Sequence, residues 1–69
     1  MEHLIEILDY EMERIDKIIK EHGKDHRVTR EQYQYTLGIM AGMLLSRSIN
    51  ETIYNKYGRI IKDIINQTN

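Results

Sequence analysis

His22 and His26 stand four residues apart, the spacing that turns two imidazoles to one side of a helix as metal ligands. Gly23 lies between them and breaks the helix on which that arrangement depends, and further ligands would have to come from Asp25 or the distant His3. No metal site is therefore expected. Carboxylates pair at the same spacing in Glu2 with Glu6 and Asp9 with Glu13. General acid–base work requires carboxyl groups shifted by burial in a pocket, and a chain this small has little room for one. Such pairs read as a solvated helix face. The chain has no cysteine, hence no thiol nucleophile and no disulfide, and it has no glycine-rich phosphate loop. An enzyme is not expected, nor a cofactor.

A second chemistry lies in the bases. Lys20, Lys24, Arg27 and Arg30 cluster around the segment that holds the two histidines, and Lys56, Arg59 and Lys62 recur near the C-terminus. These seven are the candidate nucleic-acid contacts, and a dimer would double them and space them for a duplex. Interspersed acids and a pI of about 6.3 weigh against that reading, because nucleic-acid binders are as a rule strongly basic. The net charge of −1 is unevenly spread: residues 1–19 hold Glu2, Glu6, Asp9, Glu11, Glu13 and Asp16 against Arg14 and Lys17, and the remainder is net basic. The split favours either an ordinary solvated surface or a basic face offered to an acidic partner.

Among the elements that must carry these groups, the first is marked by Ile5, Leu8, Met12, Ile15 and Ile19, which recur at alternating spacings of three and four, with Leu4, Ile7 and Ile18 widening the seam. This predicts an amphipathic helix over about 3–22, closed by Gly23 as its C′ residue. Its outer face is acidic, which argues against anionic lipids. Thr29 followed by Gln32 fits a capping box, with Val28 stapled to Tyr33, and predicts a second helix over about 30–47. Asn50 as N-cap, with Ile49 stapled to Tyr54, predicts a third over about 51–66 carrying Ile53, Tyr57, Ile60 and Ile64 on one face; an alternative box pairs Ser48 with Glu51. Asn66 to Asn69 are expected to fray.

The second helix contains the chain's distinctive stretch, YQYTLGIMAGMLL from Tyr33 to Leu45, which carries no charge in a sequence that is 30% charged. It is far below the roughly 18 residues of a membrane span. With no signal-peptide pattern and no cysteine, a soluble cytoplasmic protein is expected. Tyr33, Leu37, Met40 and Leu44 fall on one face, expected to hold helices 1 and 3. Tyr35, Gly38, Gly42 and Leu45 fall on the other, with Ile39 and Met43 on a flank. Each glycine costs about 1 kcal/mol relative to alanine inside a helix, so two of them four apart suggest a gain elsewhere, the alternative being that they are tolerated surface positions. Close approach of another helix supplies one. The expected subunit contact is Tyr35, Gly38, Ile39, Gly42, Met43 and Leu45.

The residues Glu31-Gln32-Tyr33-Gln34-Tyr35-Thr36-Leu37, then Met43-Leu44, then Ile49-Asn50-Glu51-Thr52-Ile53-Tyr54-Asn55-Lys56 resemble the SHOCT-like (short C-terminal domain) modules of small proteins from Gram-positive bacteria, phages and mobile elements. The resemblance covers about residues 30–60 and leaves helix 1 outside. It implies a helical hairpin capped at Asn50 and a non-catalytic role in oligomerisation or macromolecular contact. The chain departs from that pattern in having Arg47-Ser48 where a glycine is common, and Asn50-Glu51-Thr52-Ile53 in place of an acidic run.

Together these readings give one all-α domain over 1–69, a three-helix bundle completed by homo-oligomerisation, most simply a dimer. A chain of 69 residues leaves a single core little net stability, and oligomerisation is a common support. The expected function is that of a self-associating, protein-binding accessory or regulatory factor of a phage or mobile element. The alternative is a DNA-binding regulator of transcription or recombination using the bases of loop 1 and helix 3.

Overall fold

A computed structural model describes residues 2–66; of the segment expected to fray, Asn66 closes the third helix and 67–69 lie outside the described residues. Three helices follow one another, α1 (Glu2–His22), α2 (Arg27–Leu45) and α3 (Glu51–Asn66), and no strand occurs among the described residues. This is the all-α, three-helix arrangement that the apolar periodicity predicts. The apolar seam of α1 is its spine: Leu8, Ile15 and Ile19 are essentially sealed from solvent, joined by Met12. Met40 comes to it from α2, Tyr57 and Ile61 from α3, and Ile49 from the connection between them.

Four of the helix ends are set by local chemistry. Gly23 takes φ +87° and its N–H donates to Ile19 O at 2.7 Å, closing α1 as expected. α3 starts where Asn50 Oδ1 accepts the N–H of Ile53 at 2.9 Å, so the Asn50 cap prevails over the Ser48–Glu51 alternative. α2 departs from expectation at both ends. It begins three residues early, at Arg27, because His26 caps it, its Nδ1 accepting from Val28 N at 3.1 Å. Thr29 is therefore inside the helix, and its hydroxyl donates to Gly23 O at 2.6 Å, tying α2 to the end of α1. The capping box with Gln32 does not form, and Val28 is left exposed rather than stapled to Tyr33.

At its other end α2 stops at Leu45 instead of Arg47. Arg47 adopts φ +62°, Ser48 N donates to Met43 O at 2.8 Å and Arg47 N to Leu44 O at 3.0 Å. This is a Schellman closure with arginine at the left-handed position that glycine usually fills. Arg47 thus bears a Cβ where the backbone conformation is costly for any residue but glycine.

The inner face of α2 also differs from the expected set of Tyr33, Leu37, Met40 and Leu44. Only Met40 of these is fully buried; Tyr33 and Leu44 pack at the edge of the core, and Leu37 is half-buried beyond it. The centre of the face is instead Thr29, Gln32, Thr36 and Met40. Gln32 donates through Nε2 to the Glu11 carboxyl at 3.0 Å and to Thr36 Oγ1 at 3.1 Å, all three groups buried. No buried side-chain nitrogen or oxygen among the described residues lacks a partner. On the opposite flank of α1, Tyr57 of α3 donates to Asp9 Oδ1 at 2.6 Å. Burial, together with that acceptor and its charge, pushes the phenol from 10.0 up to about 12.

Three measurements check this packing. Arg47→Gly removes the left-handed cost and should raise unfolding stability by up to about 1 kcal/mol, a gain trimmed by the freer unfolded chain; denaturant titration measures it. Glu11→Ala strands part of the Gln32 amide and should cost roughly 1–3 kcal/mol, whereas Glu11→Leu combined with Gln32→Leu should come close to neutral; a double-mutant cycle that returned two additive losses would contradict the seam. The Tyr57 proton is held more tightly folded than unfolded, so its contribution is complete below pH 10 and lost as pH rises towards about 12. Stability curves over that range should flatten in Tyr57→Phe.

Candidate interaction surfaces

The surfaces left open by this packing lie chiefly around α2. Its outer face presents Leu45, 83% exposed, and Tyr35, 58% exposed, with Gly38 and Gly42 exposed between them. A Cβ placed on either glycine would meet nothing within 4 Å. No helix of the same chain therefore uses the glycines for close approach. Ile39 is half-buried on the flank. Met43, expected in the same contact, packs against its own chain's core and accepts two backbone N–H groups of the α2–α3 turn, from Ser48 and Ile49, at its carbonyl. Towards its N-terminus the outer stripe ends in charge: Arg27 Nε donates to Glu31 Oε1 at 3.0 Å, both side chains well exposed.

A second open feature is a cleft between α2 and α3. It encloses about 600 Å³ and is lined by Tyr33, Leu37 and Met40 from α2 and by Tyr54, Gly58 and Ile61 from α3, with Arg59 and Lys62 among its walls. α2 and α3 pack more closely on α1 than on each other, and Gly58 leaves space where a side chain would stand. Neither cause is visible as periodicity. Gly58 is the only sequence signal, a helix-weakening residue on the flank of an otherwise apolar face. The exposed Tyr10 was likewise unforeseen; it borders a shallow concavity on α1 with Glu13, Arg14, Lys17, Ile18 and Glu21.

The seven bases are all exposed. Lys20 pairs with Asp16 at 2.9 Å and Arg27 with Glu31. Arg30 reaches the backbone oxygen of Asp25 at 3.3 Å, and Lys56 sits 5.5 Å from the ring centre of Tyr57. The up-down-up order of the helices puts Lys20, Lys24, Arg27 and Arg30 at the end of the bundle where α3 finishes, near Lys62, while Lys56 lies earlier along α3. His22 and His26 fall on different segments with ring centres 4.9 Å apart, and His26 Nδ1 is occupied by its capping bond. No group of three or more metal-ligating side chains occurs among the described residues. No helix among them is long and apolar enough to cross a membrane. No family model, curated protein or solved structure matches the chain.

Proposed function

We propose that this chain is a non-catalytic helical module that self-associates through the outer face of α2 and acts by binding another protein, as an accessory or regulatory factor. The observation that carries the reading is the exposure of Tyr35 and Leu45 around two glycines whose Cβ positions are open. A single chain that leaves large apolar side chains and helix backbone in water gains by covering both at once. The cleft between α2 and α3 remains available for a separate partner, with an apolar floor to hold it and Arg59 and Lys62 to favour an acidic one. The SHOCT-like resemblance points the same way and is the basis for placing the factor in a phage or mobile element. Pairing of Lys20 and Arg27 with acids favours protein over DNA as the target.

Native mass by light scattering over a concentration series tests the proposal. The wild type should exceed one chain, and Gly38→Arg with Gly42→Arg should be monomeric with helicity retained, since both positions have room for a side chain in the monomer. Charges buried without partners typically cost 3–5 kcal/mol, so dissociation should strengthen by about 100-fold or more. A wild type that stays monomeric up to its solubility limit overturns the self-association. Retardation of duplex DNA with a steep salt dependence would move the reading to the regulator of transcription or recombination.

A further inference from the structure

The cleft between α2 and α3 has Met40 and Ile61, both buried, as its floor and the half-buried rings of Tyr33 and Tyr54 in its walls. Its volume of about 600 Å³ falls within the range of about 300–1,000 Å³ common to binding sites. None of its lining residues is acidic. Arg59 and Lys62 stand three apart on α3 and so share a side of it, both exposed and both lining the cleft. Lys20 and Arg27 are neutralised by Asp16 and Glu31 of their own helices. Among the described residues the side chains of Arg59 and Lys62 have neither an ion pair nor a hydrogen bond, although Asp63 follows Arg59 by four. The charge of the cleft is therefore positive and uncompensated within the chain, which selects an anionic occupant.

Gly58, in the same wall, is not required by the fold. It lies inside α3 without a positive φ, and a Cβ placed on it would meet nothing within 4 Å. Glycine weakens a helix relative to alanine, so the effect of Gly58 in the free chain is only to keep the wall low. The hydroxyls of Tyr33 and Tyr54 and the amide of Asn55, all lining the cleft, likewise have no hydrogen-bond partner among the described residues. Each can both donate and accept. Under a hydrocarbon tail these groups would lose water and gain nothing in return. A peptide backbone supplies both an N–H and a C=O. We propose that the cleft receives a short acidic peptide segment of a partner protein, with a large apolar side chain set on Met40 and Ile61 and flanking carboxylates on Arg59 and Lys62. The proposal rests on the reading of the chain as a protein-binding factor and names the chemistry of the partner.

The chain contains no tryptophan, so a tryptophan in a peptide reports its own burial against a silent background. The probe is the N-acetylated, C-amidated peptide Glu-Glu-Trp-Leu-Glu-Glu, compared with a peptide carrying Lys in place of every Glu. Titration with the full chain should move the emission of the acidic peptide to the blue and saturate, and the Lys peptide should bind about tenfold more weakly. Arg59→Gln with Lys62→Gln changes only exposed side chains and should remove most of that difference, as should added salt. Gly58→Leu fills the cleft and raises helix propensity, so circular dichroism should show the fold retained while the acidic peptide binds about tenfold or more weakly.

Equal binding of the two peptides, lost together in Gly58→Leu, would overturn the choice of an acidic segment and leave peptide docking in the cleft standing. Binding of the acidic peptide that Gly58→Leu leaves unchanged would place it elsewhere on the molecule and refute the proposal. Dodecanoate displacing the peptide at lower concentration than the unlabelled peptide itself would assign the cleft to an anionic amphiphile instead. A chain that shifts the emission of neither peptide would defeat both the acidic segment and the cleft's part in protein binding.

Discussion

The fold depends on one helix having enough apolar surface for two partners. α1 carries a seam wide enough that Leu8, Ile15 and Ile19 are sealed by α2 and α3 together, and each of those helices spends its best apolar residues on α1. They have less to offer one another. The cleft between them follows directly: Tyr33 and Leu37 on one wall and Tyr54 and Gly58 on the other reach the edge of the core without closing over it. A chain of this size cannot seal every apolar face it has, and which faces stay open is decided by how α2 is rotated on α1.

That rotation is fixed by polar contacts. The Glu11–Gln32–Thr36 group and the Thr29 hydroxyl on Gly23 O set both the angle and the height of α2. Buried hydrogen bonds contribute little net stability when satisfied and are costly when broken, so they are better at excluding wrong arrangements than at deepening the right one. Turning α2 to bury Tyr35 and Leu45 would leave Gln32 and Glu11 without each other. The polar seam thereby holds the glycine stripe outward. Exposure of that stripe follows from a satisfied core elsewhere on the same helix.

The sequence made the three helices, the Gly23 closure and the Asn50 cap legible, because each rests on local chemistry: periodicity, a left-handed residue, a side chain that accepts its own helix's N–H. The outer face of α2 was also readable, as apolar residues at helical spacing around two glycines. What was not readable was the inner face. Thr29, Gln32 and Thr36 are spaced as a buried stripe, at intervals of three and four, but their polarity counts against burial until Glu11 is seen to stand between Leu8 and Ile15 on the facing seam. Reading Thr29 as a cap and Gln32 as its box partner was the local solution to residues whose partners lie on another helix. The cleft escaped for a related reason: it is a property of the space between two elements, and no residue in it is unusual except Gly58.

The two open surfaces differ in what they can hold. The outer face of α2 is uncharged at its centre and ends in the Arg27–Glu31 pair towards its N-terminus. The cleft is concave and has cations among its walls, which suits an inserted side chain or a short acidic segment. They occupy different flanks of the same helix. Under the proposed reading, covering the first leaves the second accessible on each copy, so self-association and partner recognition need not compete. Both surfaces nonetheless share α2, whose seat on α1 is held by the Gln32–Glu11 bond.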